Sequence, residues 1–156
     1  AVAAAALVNG GELVPPTFLP RTAEEAASLK KRVVSEHTSA IMRYLFRLNV
    51  LQGSGRRAKV PGYLVGGKTG TAEKIEGGRY VSNKRRNSFL SAFPMDKPKY
   101  VVLVVIDEPK PEREGIGATA GLNAAPTVSG IIGRIAPMLG VLPKFGDKTE
   151  TISISY

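Results

Sequence analysis

The sequence predicts an α+β fold, an antiparallel sheet of at least three strands packed with helices. Two patterns carry that prediction. Residues 64–74, 87–93 and 100–106 each suit a strand, and short turns marked by glycine or proline punctuate the intervals between them. Consecutive strands of this kind form a meander, which places 87–93 in the middle. On either side of this set lie helical repeats: Ile41, Leu45 and Leu48 before it, and Val128, Ile131, Ile132 and Ile135 after it.

The chain has 156 residues, enough for one domain with its own core. It contains no cysteine, so a disulfide framework and a thiolate metal site are excluded. The formal net charge is +9, which suits an anionic partner: nucleic acid, an anionic membrane face or an anionic polymer. No run is long and apolar enough to span a bilayer as a helix. Ala1 to Val8 lacks the charged start and the length of a signal peptide, and reads as the end of a helix from something longer.

That alanine-rich helix stops at Asn9-Gly10-Gly11. Residues 12–14 suit a short strand, and Pro15, Pro16 and Pro20 hold the chain extended after it. Thr22 and Glu25 have the spacing of a capping box, so a short helix begins at Ala23. Residues 31–34 form a brief extended piece. Ser35 caps a helix from Glu36 to about Leu51, with Ile41, Leu45 and Leu48 as its buried stripe and Met42 and Phe46 widening it. Gly53 and Gly55 end that helix. Glu76-Gly77-Gly78-Arg79 is a turn, and so is the 94–98 segment. Residues 100–106 are continuously apolar and β-branched, which predicts a central strand buried on both faces. Residues 108–114 are charged and proline-rich, an exposed loop. A last helix runs from about Ala125 to Leu139; Pro126 suits its first turn, and Pro137 kinks or shortens its end. A polar tail starts at about residue 144. Its end, Thr151-Ile-Ser-Ile-Ser-Tyr156, alternates strictly and suits a sheet edge.

The richest stretch chemically is Gly66-Gly67-Lys68-Thr69-Gly70-Thr71. On a regular strand Lys68 and Gly70 share one face, and Thr69 and Thr71 the other. Glycines weaken a strand interior, and close approach of a ligand or another backbone is one reason to keep them. A cation and two hydroxyls on such an edge suit an extended, carboxylate-bearing chain that pairs with the strand.

Lys-Thr-Gly is also a signature of penicillin-binding proteins and serine β-lactamases. The longer run from Val60 to Lys74, Val-Pro-Gly-Tyr-Leu-Val-Gly-Gly-Lys-Thr-Gly-Thr-Ala-Glu-Lys, resembles the class B penicillin-binding proteins, most of all the cell-division type. The resemblance extends to about Pro143. It implies a partial transpeptidase fold of the penicillin-binding-protein/β-lactamase type, with residues 1–156 as the C-terminal part of one transpeptidase domain. The implied activity is peptidoglycan D,D-transpeptidation: a serine attacks the D-Ala-D-Ala bond of a stem peptide, and an amine resolves the acyl-enzyme. Carried onto this chain, Lys68 is the catalytic cation, giving positive potential and joining the proton relay. Thr69 and Thr71 supply hydroxyls to the ligand, the Thr71 N–H is an oxyanion-hole donor, and Gly70 keeps the strand clear. No cofactor or metal is implied. The implied partners are the stem peptide, β-lactams and divisome proteins. The implied location is the periplasmic face of the inner membrane, with the parent anchored by an upstream helix.

The nucleophile is missing from these residues. Ser28-Leu-Lys-Lys31 fits Ser-x-x-Lys but follows the alanine-rich helix, whereas in the family the motif precedes it; Ser82-Asn83 lacks the middle residue of Ser-x-Asn. The chain is therefore expected to be inert alone. In the family's sheet the 100–106 strand has a further neighbour from upstream sequence. A substitute is expected here, either the 151–156 tail or a second copy of the chain in a homodimer. His37 reads as a solvated surface residue, Asp107-Glu108 as exposed charge, and Lys84-Arg85-Arg86 as a solvated loop. Two rival readings stand beside the first. One is a β-lactam sensor or serine β-lactamase fragment. The other is a nucleic-acid-binding module using Arg56 to Lys59 and Lys84 to Arg86, and no nucleic acid is expected under the first reading.

Overall fold

The computed structural model describes residues 1–111, 113 and 116–145, with backbone only at 82 and 83. Helix α1 (Val2–Val8) buries Ala4, Ala6 and Val8. Asn9 ends it by exchanging hydrogen bonds with the backbone of Glu12, donating to its carbonyl at 2.7 Å and accepting from its N–H at 3.0 Å. Strand β1 (Glu12–Leu13) then pairs antiparallel with β2 (Lys31–Arg32). Between them α2 (Ala23–Ser28) carries the expected capping box: the Glu25 N–H donates to Thr22 Oγ1 at 3.1 Å, and the Thr22 N–H donates to Glu25 Oε2 at 2.8 Å.

Helix α3 (Glu36–Gln52) starts at Ser35, whose hydroxyl accepts the Thr38 N–H at 3.0 Å. Its buried face differs from the expected one. Ser39, Phe46, Arg47 and Val50 are buried, Ile41 and Leu48 are half-buried, and Leu45 is 46 % exposed. Two polar residues explain the rotation. Ser39 donates to the Leu7 carbonyl at 2.8 Å, and the Arg47 guanidinium donates to the Val65 carbonyl at 2.9 Å. Each satisfies its polar atoms inside the protein, which removes most of the cost of burial.

The main sheet has the order β3 (Gly66–Glu76), β4 (Arg79–Phe93), β5 (Tyr100–Asp107), all antiparallel, with the 87–93 stretch in the middle. Strands β3 and β4 form a hairpin longer than expected. Its tip is Gly77-Gly78, both at positive φ, as a two-residue primed turn requires. A register shift lies between Glu73 and Lys74. The Lys84-Arg85-Arg86 cluster is therefore part of β4, not a loop. Lys84 pairs with Glu76 at 2.7 Å, and Arg86 with Asp107 at 3.2 Å.

Strand β5 also departs from expectation, because one of its faces is covered only at the Val101 end, where that residue packs on a second apolar cluster. Val102, Val104 and Ile106 pack on the core, whereas Leu103 is 47 % and Val105 52 % exposed. Among the described residues no strand lies beyond β5. The 151–156 tail expected there lies outside the described residues.

Helix α4 (Ala124–Met138) covers the inner face of the sheet, burying Val128, Ile132 and Ala136 against Phe89 and Phe93. It ends one residue beyond Pro137, in keeping with the shortening expected there. The second apolar cluster joins Val8 of α1, Phe46 of α3, Leu64, Ala92 and Met95. Together these layers hold β3 as a supported strand with one free edge.

Candidate active-site groove along strand β3

The register fixes the two faces of the motif. Lys68, Leu90 and Leu103 lie in line on one face, and so do Gly70, Ser88 and Val105. Thr69, Phe89 and Val104 lie on the other, with Thr71, Asn87 and Ile106 beside them. Lys68 is exposed and is not sealed in an apolar interior.

The outer edge of β3 faces the C-terminal end of α3. Asn49 of α3 donates from Nδ2 to the Gly67 carbonyl at 2.8 Å. Backbone groups of alternate residues point the same way in an antiparallel strand, so the N–H and C=O groups of Thr69 and Thr71 face that edge too. Lys68 curls along the edge, and its ammonium donates to the Thr69 carbonyl at 2.8 Å.

A groove of about 360 Å³ opens beside Thr69 and Thr71. Ser54, Arg56, Arg57 and Thr119 line its other sides, together with Gly121 and Leu122. Among the described residues two arginines and no carboxylate line it, which favours an anionic ligand group. Arg56 opens a single 3₁₀ turn, Arg56–Ala58, that follows Gly55. Gly121 packs so tightly on the 53–55 loop that a Cβ there would sit 2.6 Å from the Ser54 carbonyl oxygen.

Both threonine hydroxyls are tied to the protein. The Thr69 hydroxyl lies 2.7 Å from Ser54 Oγ. Thr71 Oγ1 accepts the Ala120 N–H at 3.1 Å. The 118–123 segment that presents Ala120 is held by Asn87, fully buried in β4, whose Nδ2 donates to the Ala118 carbonyl at 2.9 Å and to Asn123 Oδ1 at 3.0 Å.

The glycines of the motif have a protein-side reason to be there. A Cβ at Gly66 would meet Met95, and one at Gly67 would meet the Leu90 carbonyl and the Phe89 ring. A Cβ at Gly70 would meet Ser88 Oγ at 2.6 Å, on the face turned away from the groove.

The remaining candidates do not join this site. Ser28 closes α2 by donating to the Glu25 carbonyl at 2.9 Å and is exposed. His37 is exposed in the first turn of α3. Asp107 and Glu108 both receive Lys74, at 3.0 and 2.7 Å. Donating hydrogen bonds to Glu108 and then Asp107 raises the Lys74 pKa, and accepting them from Lys74 and then Arg86 lowers that of Asp107. Lys74, Lys84 and Arg86 of the hairpin thus pair with acidic groups of the same sheet. Among the described residues no three acidic, histidine or cysteine side chains gather where they could hold a metal, and no helix is long and apolar enough to cross a membrane.

Sequence reading placed Lys68, Thr69, Gly70 and Thr71 correctly on their faces. It missed Asn49, Ser54, Asn87, Thr119 and Ala120. It also gave Arg56 and Arg57 to a nucleic-acid surface, whereas they rim the groove. Only the glycine-rich character of residues 53–55 and 115–121 hinted at loops that must pass close to something.

Comparison with known proteins agrees with this geometry. The family described as "Penicillin binding protein transpeptidase domain" matches residues 1–132. The chain is 44 % identical to the probable peptidoglycan D,D-transpeptidase FtsI of Caulobacter vibrioides over 96 % of its own length and 26 % of that protein's. It is 40 % identical to stage V sporulation protein D of Bacillus subtilis, over 91 % of the chain and 23 % of the relative. It therefore spans about a quarter of the curated relatives it matches. Among solved structures, the transpeptidase domain of Burkholderia pseudomallei penicillin-binding protein 3 superposes with a TM-score of 0.79 at 36 % identity, covering 93 % of this chain and 43 % of that one. Penicillin-binding protein 3 of Mycobacterium tuberculosis, solved with ampicillin, gives a TM-score of 0.69 at 29 % identity, covering 89 % and 34 %.

Proposed function

The chain belongs to the penicillin-binding-protein transpeptidase family, and from that premise we propose that it supplies the substrate-binding edge of a peptidoglycan D,D-transpeptidase. The carrying observation is the arginine-lined groove beside Thr69 and Thr71, on a strand edge whose backbone groups are turned toward it. An extended peptide ending in a carboxylate satisfies both features at once: its backbone pairs with β3, and its negative end meets the hydroxyls and the arginines.

In this reading the nucleophilic serine comes from a part of the protein outside these residues. Lys68 raises the local potential and shares in proton transfer near the attacked bond. Thr69 and Thr71 contact the ligand from the groove face, and the Thr71 N–H turns its donor to the developing oxyanion. Gly70 keeps the strand free of a side chain on the face opposite the groove, where Ser88 stands. The stem peptide is attacked to give an acyl-enzyme, which a neighbouring amine resolves, and a β-lactam is a substrate mimic that stops at the acyl stage. The parent works in septal peptidoglycan synthesis at the outer face of the cytoplasmic membrane, anchored there, with divisome proteins as partners. The β5 edge, beyond which no strand lies among the described residues, is the place where the 151–156 tail, a second copy of the chain or a further strand of the parent adds to the sheet.

The test is acylation of the full-length protein by a fluorescent penicillin. A covalent adduct that is abolished by replacing the parent's serine, and slowed at least tenfold by Lys68→Ala, is the expected result. Rapid turnover of the adduct would point to a β-lactamase instead, and no adduct at all would end the reading.

A further inference from the structure

Asn87 stands on the face of β4 that α4 covers, two residues before Phe89, and has no solvent exposure. An apolar residue is the default at such a position. Its amide has only one orientation. Nδ2 donates to the Ala118 carbonyl at 2.9 Å and to Asn123 Oδ1 at 3.0 Å. Asn123 Oδ1 also accepts the Ala124 N–H at 2.7 Å as the cap of α4, so it is an acceptor for Asn87 too. Both protons of one amide nitrogen are thus committed. The Asn87 Oδ1 has no partner among the described residues. The buried amide is therefore retained at a cost, and what it secures is the pair of donor bonds. Those bonds clasp the two ends of one segment, residues 118–123. Within it the Leu122 N–H donates to the Thr119 carbonyl at 3.0 Å. Thr119, Gly121 and Leu122 line the groove, and Asn87 lies behind them without lining it. The centre of the segment is held separately, by the Ala120 N–H on Thr71.

We propose that Asn87 is a positioning residue of the acyl-transfer site: its two donors clasp both ends of the 118–123 segment and fix how far Thr119, Gly121 and Leu122 stand from strand β3. This assignment rests on the transpeptidase reading of the groove and adds to it a residue that never touches the ligand. The task needs one group with two donors, held rigidly by a strand, because the two acceptors belong to opposite ends of a loop. Since Ala120 stays tied to β3, loss of the clasp shifts the wall without unfolding it. The first, noncovalent complex depends on that wall and weakens. The acylation step depends on Lys68 and on the parent's serine, and is left alone.

The experiment follows acylation of the full-length protein by benzylpenicillin over a range of concentrations. This separates the dissociation constant of the first complex from the acylation rate constant. Asn87→Val suits a strand and removes the clasp. The dissociation constant is expected to rise about tenfold, the equivalent of one hydrogen bond, with the rate constant within about twofold of the parent's. Amide exchange at Leu122 and Ala125 is expected to quicken while that at Phe89 does not. Asn123→Asp keeps an acceptor for both the Asn87 amide and the Ala124 N–H, and keeps the parental dissociation constant. Should Asn87→Val fail to fold, Asn87→Ser decides by the same measure, because one hydroxyl proton serves at most one end of the segment. Three results overturn the clasp: a dissociation constant within about twofold of the parent's in the Asn87 variant, both constants worsening together with faster exchange at Phe89, or a loss in Asn123→Asp as large as in Asn87→Val. If the parent protein is not acylated at all, the transpeptidase reading itself fails. If it is acylated and the Asn87 variant binds like the parent, only the clasp fails.

Discussion

Replacing Gly67 by alanine tests whether the glycines before Lys68 serve the ligand or the protein. The added Cβ would lie 2.4 Å from the Leu90 carbonyl oxygen and 2.6 Å from Phe89 Cε1. The first atom is backbone of the neighbouring strand, and the second belongs to a ring with no solvent exposure. Neither yields by a rotamer change. Reaching ordinary contact at about 3.4 Å requires about an ångström of separation between β3 and β4 at the hydrogen-bonded centre of the sheet. Overpacking of this kind costs about 1–3 kcal/mol, and a clash with backbone belongs at the upper end. In a domain of some 150–250 residues about 3 kcal/mol lowers Tm by roughly 6–12 °C. Gly70→Ala is the control on the same strand. Its Cβ meets Ser88 Oγ at 2.6 Å and nothing else closer than 3.9 Å. A serine hydroxyl turns away at the loss of one long hydrogen bond, 3.4 Å to the Gly70 carbonyl, so the cost stays below about 1 kcal/mol. The assay is calorimetric unfolding of the full-length protein, following the transition of this domain. A Gly70→Ala protein that melts as low as Gly67→Ala, or a Gly67→Ala protein within about 2 °C of the parent, would refute the packing argument.

Two further outcomes follow from the same geometry. Thr71→Val removes a hydroxyl from the groove and leaves the Ala120 N–H without its acceptor; acylation by a carboxylate-bearing penicillin should slow by about 10- to 100-fold, and retained parental rates would exclude Thr71 from ligand binding. The hairpin ion cluster should loosen in acid. The folded-state pKa of Asp107 lies below the ordinary 3.8, held there by Lys74 and Arg86, so its contribution is present above that value and is lost as pH falls through the depressed one. Amide exchange in residues 74–85 should therefore quicken below about pH 3.8 before the centre of β4 responds, and simultaneous loss of both would contradict this order.

Much of the frame was legible because its signals are local. Thr22 and Glu25 sit three residues apart and cap one another, Ser35 caps α3, and Gly77-Gly78 turns the hairpin. The faces of Lys68 to Thr71 follow from a period of two and survive in the register. The failures come from partners distant in sequence. Hydropathy cannot foresee that Arg47 buries its guanidinium on the Val65 carbonyl, so the α3 stripe is assigned one position off. Nor does a run of Lys-Arg-Arg announce a strand until Glu76 and Asp107 are found across from it. The far wall of the groove was invisible for the same reason. Ser54, Arg56 and Thr119 come from two loops whose sequences say only that they bend, and their chemistry appears when Gly121 lets one loop settle on the other.

Strand β5 is the place where sequence and structure disagree most, and the disagreement carries information. A run of Val, Val, Leu, Val, Val, Ile is unfavourable on a half-solvated edge, where alternation with polar residues is the stable solution. Here Leu103 and Val105 remain about half exposed, in line with Lys68 and Gly70 across the sheet. Covering them removes apolar surface from water at roughly 25 cal/mol per Å², and adding a strand would pair the open backbone edge as well. The face that β5 leaves uncovered is thus the face that carries Lys68. A segment that covers Leu103 and Val105 therefore packs on the side of the sheet opposite the Thr69 and Thr71 groove.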